Sequence, residues 1–231
     1  YDNWRKMSRY SEISQFRKSF DVVTNWVHYP IATYLCALLS FTGISPNQIT
    51  SLAIIFELSA IYFILTSFES NMILIVVLLQ LGWIFDLMDG MMARYKKMGF
   101  YHPDNPSNKG YYLDAVSDHI LKFMIIGAFG YQLSRSHELG WEIGMLALII
   151  HGITQTEHTL RGMISKQKNG NQGSSKVRDL TGQLALLMNN IYLFYLVFIP
   201  MNRIDILLIF FAGVELLLLV KRTISFWINE P

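Results

Sequence analysis

Long apolar segments separated by short polar ones constrain this chain more than any other feature. Six such segments lie at residues 49–67, 71–93, 111–133, 140–162, 183–200 and 203–225. A helix of about twenty apolar residues crosses the hydrocarbon core of a bilayer. With 52% hydrophobic and only 16% charged residues, the sequence predicts an all-α integral membrane protein, with residues 1–231 as one domain.

The first 42 residues differ in character from the six segments. Residues 1–20 interleave basic and aromatic side chains, which favours an amphipathic helix at the membrane surface; a solvated, disordered tail is the alternative. Residues 22–42 are only moderately apolar and contain Pro30, so we expect an interfacial helix that continues the first. Because the sequence begins with Tyr1 rather than Met, we expect that further residues precede it.

Basic residues are unevenly distributed between the segments. The loops 95–109 and 165–179 and the C-terminal tail are rich in lysine and arginine, whereas the intervening connections carry few or none. By the positive-inside rule, the N-terminus, the loop 95–109 and the C-terminus face the cytoplasm, which an even number of spans allows. The net charge of only +2 gives no support for a nucleic-acid partner.

Four aspartates lie near the facing ends of the second and third segments, namely Asp86, Asp89, Asp114 and Asp118. Their spacings of three and four residues place each pair on one face of a helix. If the loop between the segments folds the two helices side by side, the four carboxylates converge. Such a concentration of negative charge near a membrane requires cations, and all-oxygen ligands suit Mg²⁺ or Mn²⁺.

This stretch resembles the signature of the CDP-alcohol phosphotransferase family, D-x2-D-G-x2-A-R-x8-G-x3-D-x3-D. The matching residues are Asp86, Asp89, Gly90, Ala93, Arg94, Gly110, Asp114 and Asp118. Fifteen residues separate Arg94 from Gly110, where the signature has eight. The lengthened loop 95–109 is either a lid over a substrate or a longer surface loop.

The resemblance implies a membrane enzyme that transfers a phosphoalcohol group from a CDP-linked donor to an acceptor hydroxyl and releases CMP, in phospholipid or related phosphodiester synthesis. It implies an N-terminal amphipathic helix, then six transmembrane helices around a polar cavity that faces the cytoplasm, and often a homodimer. Donor and acceptor stay open, because either CDP-diacylglycerol or a soluble CDP-alcohol fits the pattern.

The resemblance also implies roles for individual residues. Two Mg²⁺ ions, which Mn²⁺ could replace, are expected at Asp86, Asp89, Asp114 and Asp118, with Asp118 also the general base for the acceptor hydroxyl. Donor binding is expected at Asn47, Thr50, Gly90, Arg94 and Ser107, and acceptor binding at His158, Arg161, Arg178 and Arg222. Asn47 is in addition a candidate N-cap of the first transmembrane helix.

Further polar residues lie within the late apolar segments. His151, Thr154, His158 and Arg161 fall on one face of the fourth segment. Asn189, Asn190 and Glu215 either line the polar cavity or tie helices together. The basic residues of these segments could equally anchor helix ends at the cytoplasmic surface.

Two other classes of protein place aspartates in membranes. A membrane prenyltransferase also uses aspartates and Mg²⁺, but it would show two aspartate-rich motifs far apart in sequence, without the set Gly90, Ala93 and Arg94. A divalent-metal or ion transporter tends to place its acidic site centrally, within broken helices and paired repeats. Here the four acids cluster at one membrane face, which favours the transferase.

Overall fold

The computed structural model describes residues 9–18, 20–169 and 190–229. All regular structure in these residues is helical, without a strand, as the long apolar segments predict. The chain divides into two compact units, Tyr1–Ile125 and Ile126–Pro231. One described stretch, Pro46–Tyr101, is long and apolar enough to cross a membrane, judged by length and composition alone.

The N-terminal region forms two helical pieces rather than one. Residues 9–14 are helical, and a turn with irregular backbone follows before helical structure resumes at residue 22. The prediction of one continuous helix is therefore wrong. The new helix begins because the carboxylate of Asp21 accepts hydrogen bonds from the backbone N–H of Thr24 at 3.0 Å and from its hydroxyl at 2.7 Å.

Pro30 does not break this second helical piece. A wider, π-type turn at Thr24–His28 precedes the proline, and helix α1 then spans Tyr29–Leu39. Such local widening accommodates a residue without a backbone N–H.

Helix α2, Pro46–Tyr95, starts at a capping box. Ser45 is the N-cap, since its hydroxyl accepts a hydrogen bond from the backbone N–H of Gln48 while the Gln48 side chain accepts one from the Ser45 N–H. The expectation that Asn47 caps the helix is wrong, because Pro46 already occupies the first helical position and Asn47 follows it.

A sharp kink divides α2 into two arms, residues 46–66 and 72–95. Ser67 and Asn71 leave helical geometry, and the side-chain amide of Asn71 donates to the carbonyl oxygen of Ser67 at 3.1 Å. The arms fold back on each other, with the rings of Phe56 and Phe85 5.2 Å apart. The kink falls where the sequence predicts the boundary between the first two apolar segments.

The loop after α2 is folded upon itself. It contains a 3₁₀ turn at Gly99–Tyr101, where Gly99 has a φ of 61° and its carbonyl oxygen accepts a hydrogen bond from the Ser107 N–H at 3.0 Å. Nδ1 of His102 accepts hydrogen bonds from the backbone N–H groups of Asp104 and Asn105. Helix α3, Lys109–Ser134, then begins close to the predicted start of the third segment.

The second unit contains helices α4, α5 and α6, at Gly140–Asn169, Ile191–Phe198 and Ile204–Asn229. Helix α4 packs along α6. The predicted segment 183–200 lies partly outside the described residues. Its described part, residues 190–200, contains α5. Gly144 approaches Gly130 so closely that a Cβ on Gly144 would lie 2.5 Å from the Gly130 Cα, so both positions require glycine.

Candidate metal centre

Three of the four predicted metal-binding aspartates converge in the first unit. Asp86 and Asp89 lie near the end of the second arm of α2, and Asp114 lies in the second turn of α3. Carboxylate oxygens of the three lie within 4.8 Å of one another. Three carboxylates at this distance, all at least partly buried, repel one another strongly unless a positive charge lies among them.

Neighbouring groups fix the orientation of these carboxylates. The hydroxyl of Thr50, in the first arm of α2, donates a hydrogen bond to Oδ2 of Asp89 at 2.5 Å, and Asp89 is only 6% exposed. Thr50, predicted to contact the donor, therefore contacts one of the three clustered aspartates.

The fourth aspartate, Asp118, lies one helical turn beyond Asp114. Its Oδ2 forms a 2.9 Å ion pair with Nζ of Lys122. Sequence reasoning missed Lys122, although the i,i+4 spacing from Asp118 is a signal for such a pair.

Arg94 lies against Gly90 at the end of the second arm. A Cβ built on Gly90 would be 3.3 Å from a terminal guanidinium nitrogen of Arg94, so glycine leaves room for that group. Nε of Arg94 donates a hydrogen bond to the carbonyl oxygen of Phe16 at 2.9 Å. Arg94 is thus held beside Asp89 by a residue of the N-terminal region.

The two remaining predicted donor residues lie near the start of α3. Oδ1 of Asn47 would be 2.8 Å from a Cβ on Gly110, so the beginning of α2 closely contacts the beginning of α3. The Ser107 hydroxyl accepts a hydrogen bond from the Lys109 N–H at 3.4 Å. Both contacts fix the approach of the loop to the aspartates.

A buried acid that the sequence did not single out lies deeper in the same unit. Glu57 is 4% exposed. Its Cγ would lie only 2.5 Å from a Cβ built on Gly82, so glycine at position 82 leaves room for the Glu57 side chain. An ionisable residue in the middle of an apolar helix is the signal that could have identified it.

Three of the predicted acceptor residues, His158, Arg161 and Arg222, lie in described helices of the second unit. His158 is exposed, whereas a terminal nitrogen of Arg161 forms an ion pair with Glu157 at 2.6 Å and donates to the backbone carbonyl oxygen of Arg222. Arg178 and Asn189 lie outside the described residues.

The polar face of α4 contains both buried and exposed residues. His151 and Thr154 are buried, and Nδ1 of His151 lies 2.9 Å from an Oε atom of Glu215, itself 2% exposed. Asn190 is also buried. The pair of His151 with Glu215 ties α4 to α6, one of the two roles expected for Glu215.

The chain was compared with known proteins and protein families. A search of curated proteins gave no significant match. The family model for CDP-alcohol phosphatidyltransferases matches residues 43–228, which includes the aspartate cluster, Arg94 and the whole of α3. The chain therefore belongs to the CDP-alcohol phosphatidyltransferase family, whose members are generally integral membrane enzymes that transfer a phosphoalcohol from a CDP-alcohol.

Proposed function

We propose that this protein is a Mg²⁺-dependent transferase that moves a phosphoalcohol group from a CDP-linked donor to an acceptor hydroxyl and releases CMP. The observation that carries the proposal is the convergence of Asp86, Asp89 and Asp114, within the region that the family model matches. The donor is either CDP-diacylglycerol or a soluble CDP-alcohol, and the product belongs to phospholipid or related phosphodiester synthesis.

The aspartate cluster fits a hard divalent cation. Oxygen ligands of one Mg²⁺ ion lie about 2.1 Å from it and so at most about 4.2 Å apart. The oxygens of the cluster lie within 4.8 Å of one another, which small side-chain movements would bring to that separation. When bound, Mg²⁺, or Mn²⁺ in its place, would polarise the donor's phosphoryl oxygens and neutralise charge on the leaving phosphate.

Asp118 is the residue that we propose as general base. It lies one helical turn beyond Asp114 along α3 and pairs with Lys122, which orients one of its two carboxylate oxygens. A base must lie within hydrogen-bond reach of the hydroxyl that it deprotonates. We propose that Asp118 takes the proton from the acceptor while it borders, or completes, the site for a second ion.

Arg94 and its neighbours supply the proposed donor site. The guanidinium group, held through Nε, keeps its terminal nitrogens beside Gly90 and next to the cluster, where they could form two hydrogen bonds to a phosphate group. Thr50 is proposed to position Asp89, since its hydroxyl already donates to that carboxylate. Asn47 and Ser107 are proposed to shape the entrance to the site at the start of α3.

We propose six transmembrane helices with the aspartates near the cytoplasmic surface. The distribution of basic residues supports this orientation, and the exposed faces of the described helices support contact with lipid. Large apolar residues on those faces include Ile55, Tyr62, Ile73, Ile120, Ile149, Ile153, Ile209 and Leu217. A homodimer, and acceptor binding by His158, Arg161, Arg178 and Arg222, stay predictions from the family resemblance.

The experiment that tests this function measures CMP release by the purified full chain with Mg²⁺, a panel of CDP-alcohols and a cell extract as the source of acceptors. Mass spectrometry of the product identifies both substrates. The proposal predicts CMP release that EDTA abolishes and added Mg²⁺ restores. Absence of CMP from every donor, together with divalent-metal flux in vesicles, would instead favour a transporter.

A further inference from the structure

Phe16 and Phe20, at the two ends of a five-residue stretch, contact α2 on either side of its two aspartates. At one end, the carbonyl oxygen of Phe16 accepts the 2.9 Å hydrogen bond from Nε of Arg94. At the other end, the ring of Phe20 packs edge-on against Trp83, with centroids 5.7 Å apart. Trp83 precedes the aspartates in α2 and Arg94 follows them, so Arg17 and Lys18 lie beside the part of α2 that carries Asp86 and Asp89.

Lys18 is the middle residue of that stretch. Its backbone N–H donates a hydrogen bond to the hydroxyl of Tyr29 at 3.1 Å, which fixes the chain at this point. Its side chain is exposed. Lys18 therefore presents an exposed side chain from a point of the chain that lies between the contacts with Arg94 and Trp83, the residues on either side of Asp86 and Asp89 in α2.

We propose that Lys18 is a phosphate-binding residue that contacts the diphosphate of the CDP-linked donor. This inference rests on the proposed function, since that function supplies the diphosphate. Lys18 lies before residues 43–228, so this contact would come from a part of the chain that the family model does not cover. A lysine on a flexible stem binds phosphate as a point charge.

The surroundings of Lys18 favour a ligand over a purely structural role. Asp118 already has the ammonium group of Lys122 as its partner, and the guanidinium of Arg94 is held against Gly90 and bonded to the carbonyl oxygen of Phe16. A donor diphosphate that bridges the cluster would bring further negative charge to the side where Lys18 lies. The exposed side chain can move to meet it, whereas Lys122 is held by its ion pair.

The test compares Lys18→Met and Lys18→Arg with the native full chain in detergent, and Lys97→Met serves as the control. Lys97 is exposed and lies in the loop after α2, so its substitution removes the same charge outside the segment that carries Lys18. Calorimetry measures the binding of CDP and of cytidine, which lacks phosphate, in the presence of Mg²⁺. Electron paramagnetic resonance measures the binding of Mn²⁺ alone.

Lys18→Met is expected to weaken CDP binding about tenfold or more, as for the loss of one charge-assisted contact, and to leave cytidine binding unchanged. Lys18→Arg should retain most of the CDP affinity, and Lys97→Met all of it. Mn²⁺ affinity should stay the same or rise in Lys18→Met, because a positive charge near the carboxylates is removed.

Each contrary result has a distinct meaning. Equal CDP affinity in Lys18→Met and the native protein would overturn the inference while the proposed function stands. A parallel loss of CDP, cytidine and Mn²⁺ binding would also overturn it, since Lys18 would then support the fold rather than contact phosphate. A native protein that neither binds CDP nor releases CMP would overturn the proposed function itself.

Discussion

The hydroxyl of Thr50 donates a 2.5 Å hydrogen bond to Oδ2 of Asp89, although 39 positions separate the two residues in the chain. This bond joins the two arms of α2 at the depth of the aspartate cluster. It exists because the kink at Ser67 and Asn71 folds the arms back on each other. Assembly of the site thus depends on the helical hairpin as well as on the aspartates.

The first prediction concerns this bond. Thr50→Val preserves shape but removes the donor, and partners of metal-ligand residues typically contribute about 10- to 100-fold in metal affinity or activity. We expect a loss of that size in Mn²⁺ affinity, measured by electron paramagnetic resonance. Thr66→Val is the matched control, because its hydroxyl bonds only within the first arm and beside the kink. Equal Mn²⁺ affinity in Thr50→Val and the control would argue against a positioning role.

Lys122 gives the second prediction. Lys122→Met removes the ion pair that orients Asp118, so kcat should fall about 10- to 100-fold while KM for the donor changes little. Lys122→Arg, which keeps a charged donor, should recover part of the rate, and Lys97→Met should retain all of it. Steady-state kinetics of CMP release measure both parameters. A normal kcat in Lys122→Met would show that the orientation of Asp118 does not depend on the pair.

The third prediction concerns packing in the second unit. Gly144→Ala would place a methyl group 2.5 Å from the Gly130 Cα, where only backbone could move to relieve the contact. We expect destabilisation by about 1–3 kcal/mol, the usual cost of overpacking. Thermal unfolding in detergent measures it. Gly213→Ala is the control within α6, because a Cβ there meets nothing within 4 Å; a comparable loss of stability in both variants would contradict the close helix contact.

Local sequence signals predicted much of this architecture. The break between the first two apolar segments marks the kink of α2, and the spacing of Asp86 with Asp89 and of Asp114 with Asp118 indicates which faces carry the acids. These features depend on residues three to four positions apart, or on the average apolar character of one helix. A single sequence carries both kinds of information directly.

Contacts between residues far apart in the chain, and competition between two candidate N-cap residues, explain the features that the sequence did not predict. The contacts of Phe16 with Arg94 and of Glu57 with Gly82 join residues far apart in the chain, and no periodicity in the sequence reports them. The misplaced helix start had a local cause: Ser45 and Asn47 are both good N-cap residues, and the reciprocal bonds with Gln48 decide in favour of Ser45.

The central claim is that the aspartate cluster holds the cations required for transfer. The most direct test titrates Mg²⁺ into EDTA-treated native protein and into Asp114→Asn, and measures CMP release from an accepted donor. The native protein should gain activity with Mg²⁺, and Asp114→Asn should stay at least about 100-fold slower at every concentration. Full activity without Mg²⁺, or a native rate in Asp114→Asn, would contradict the account.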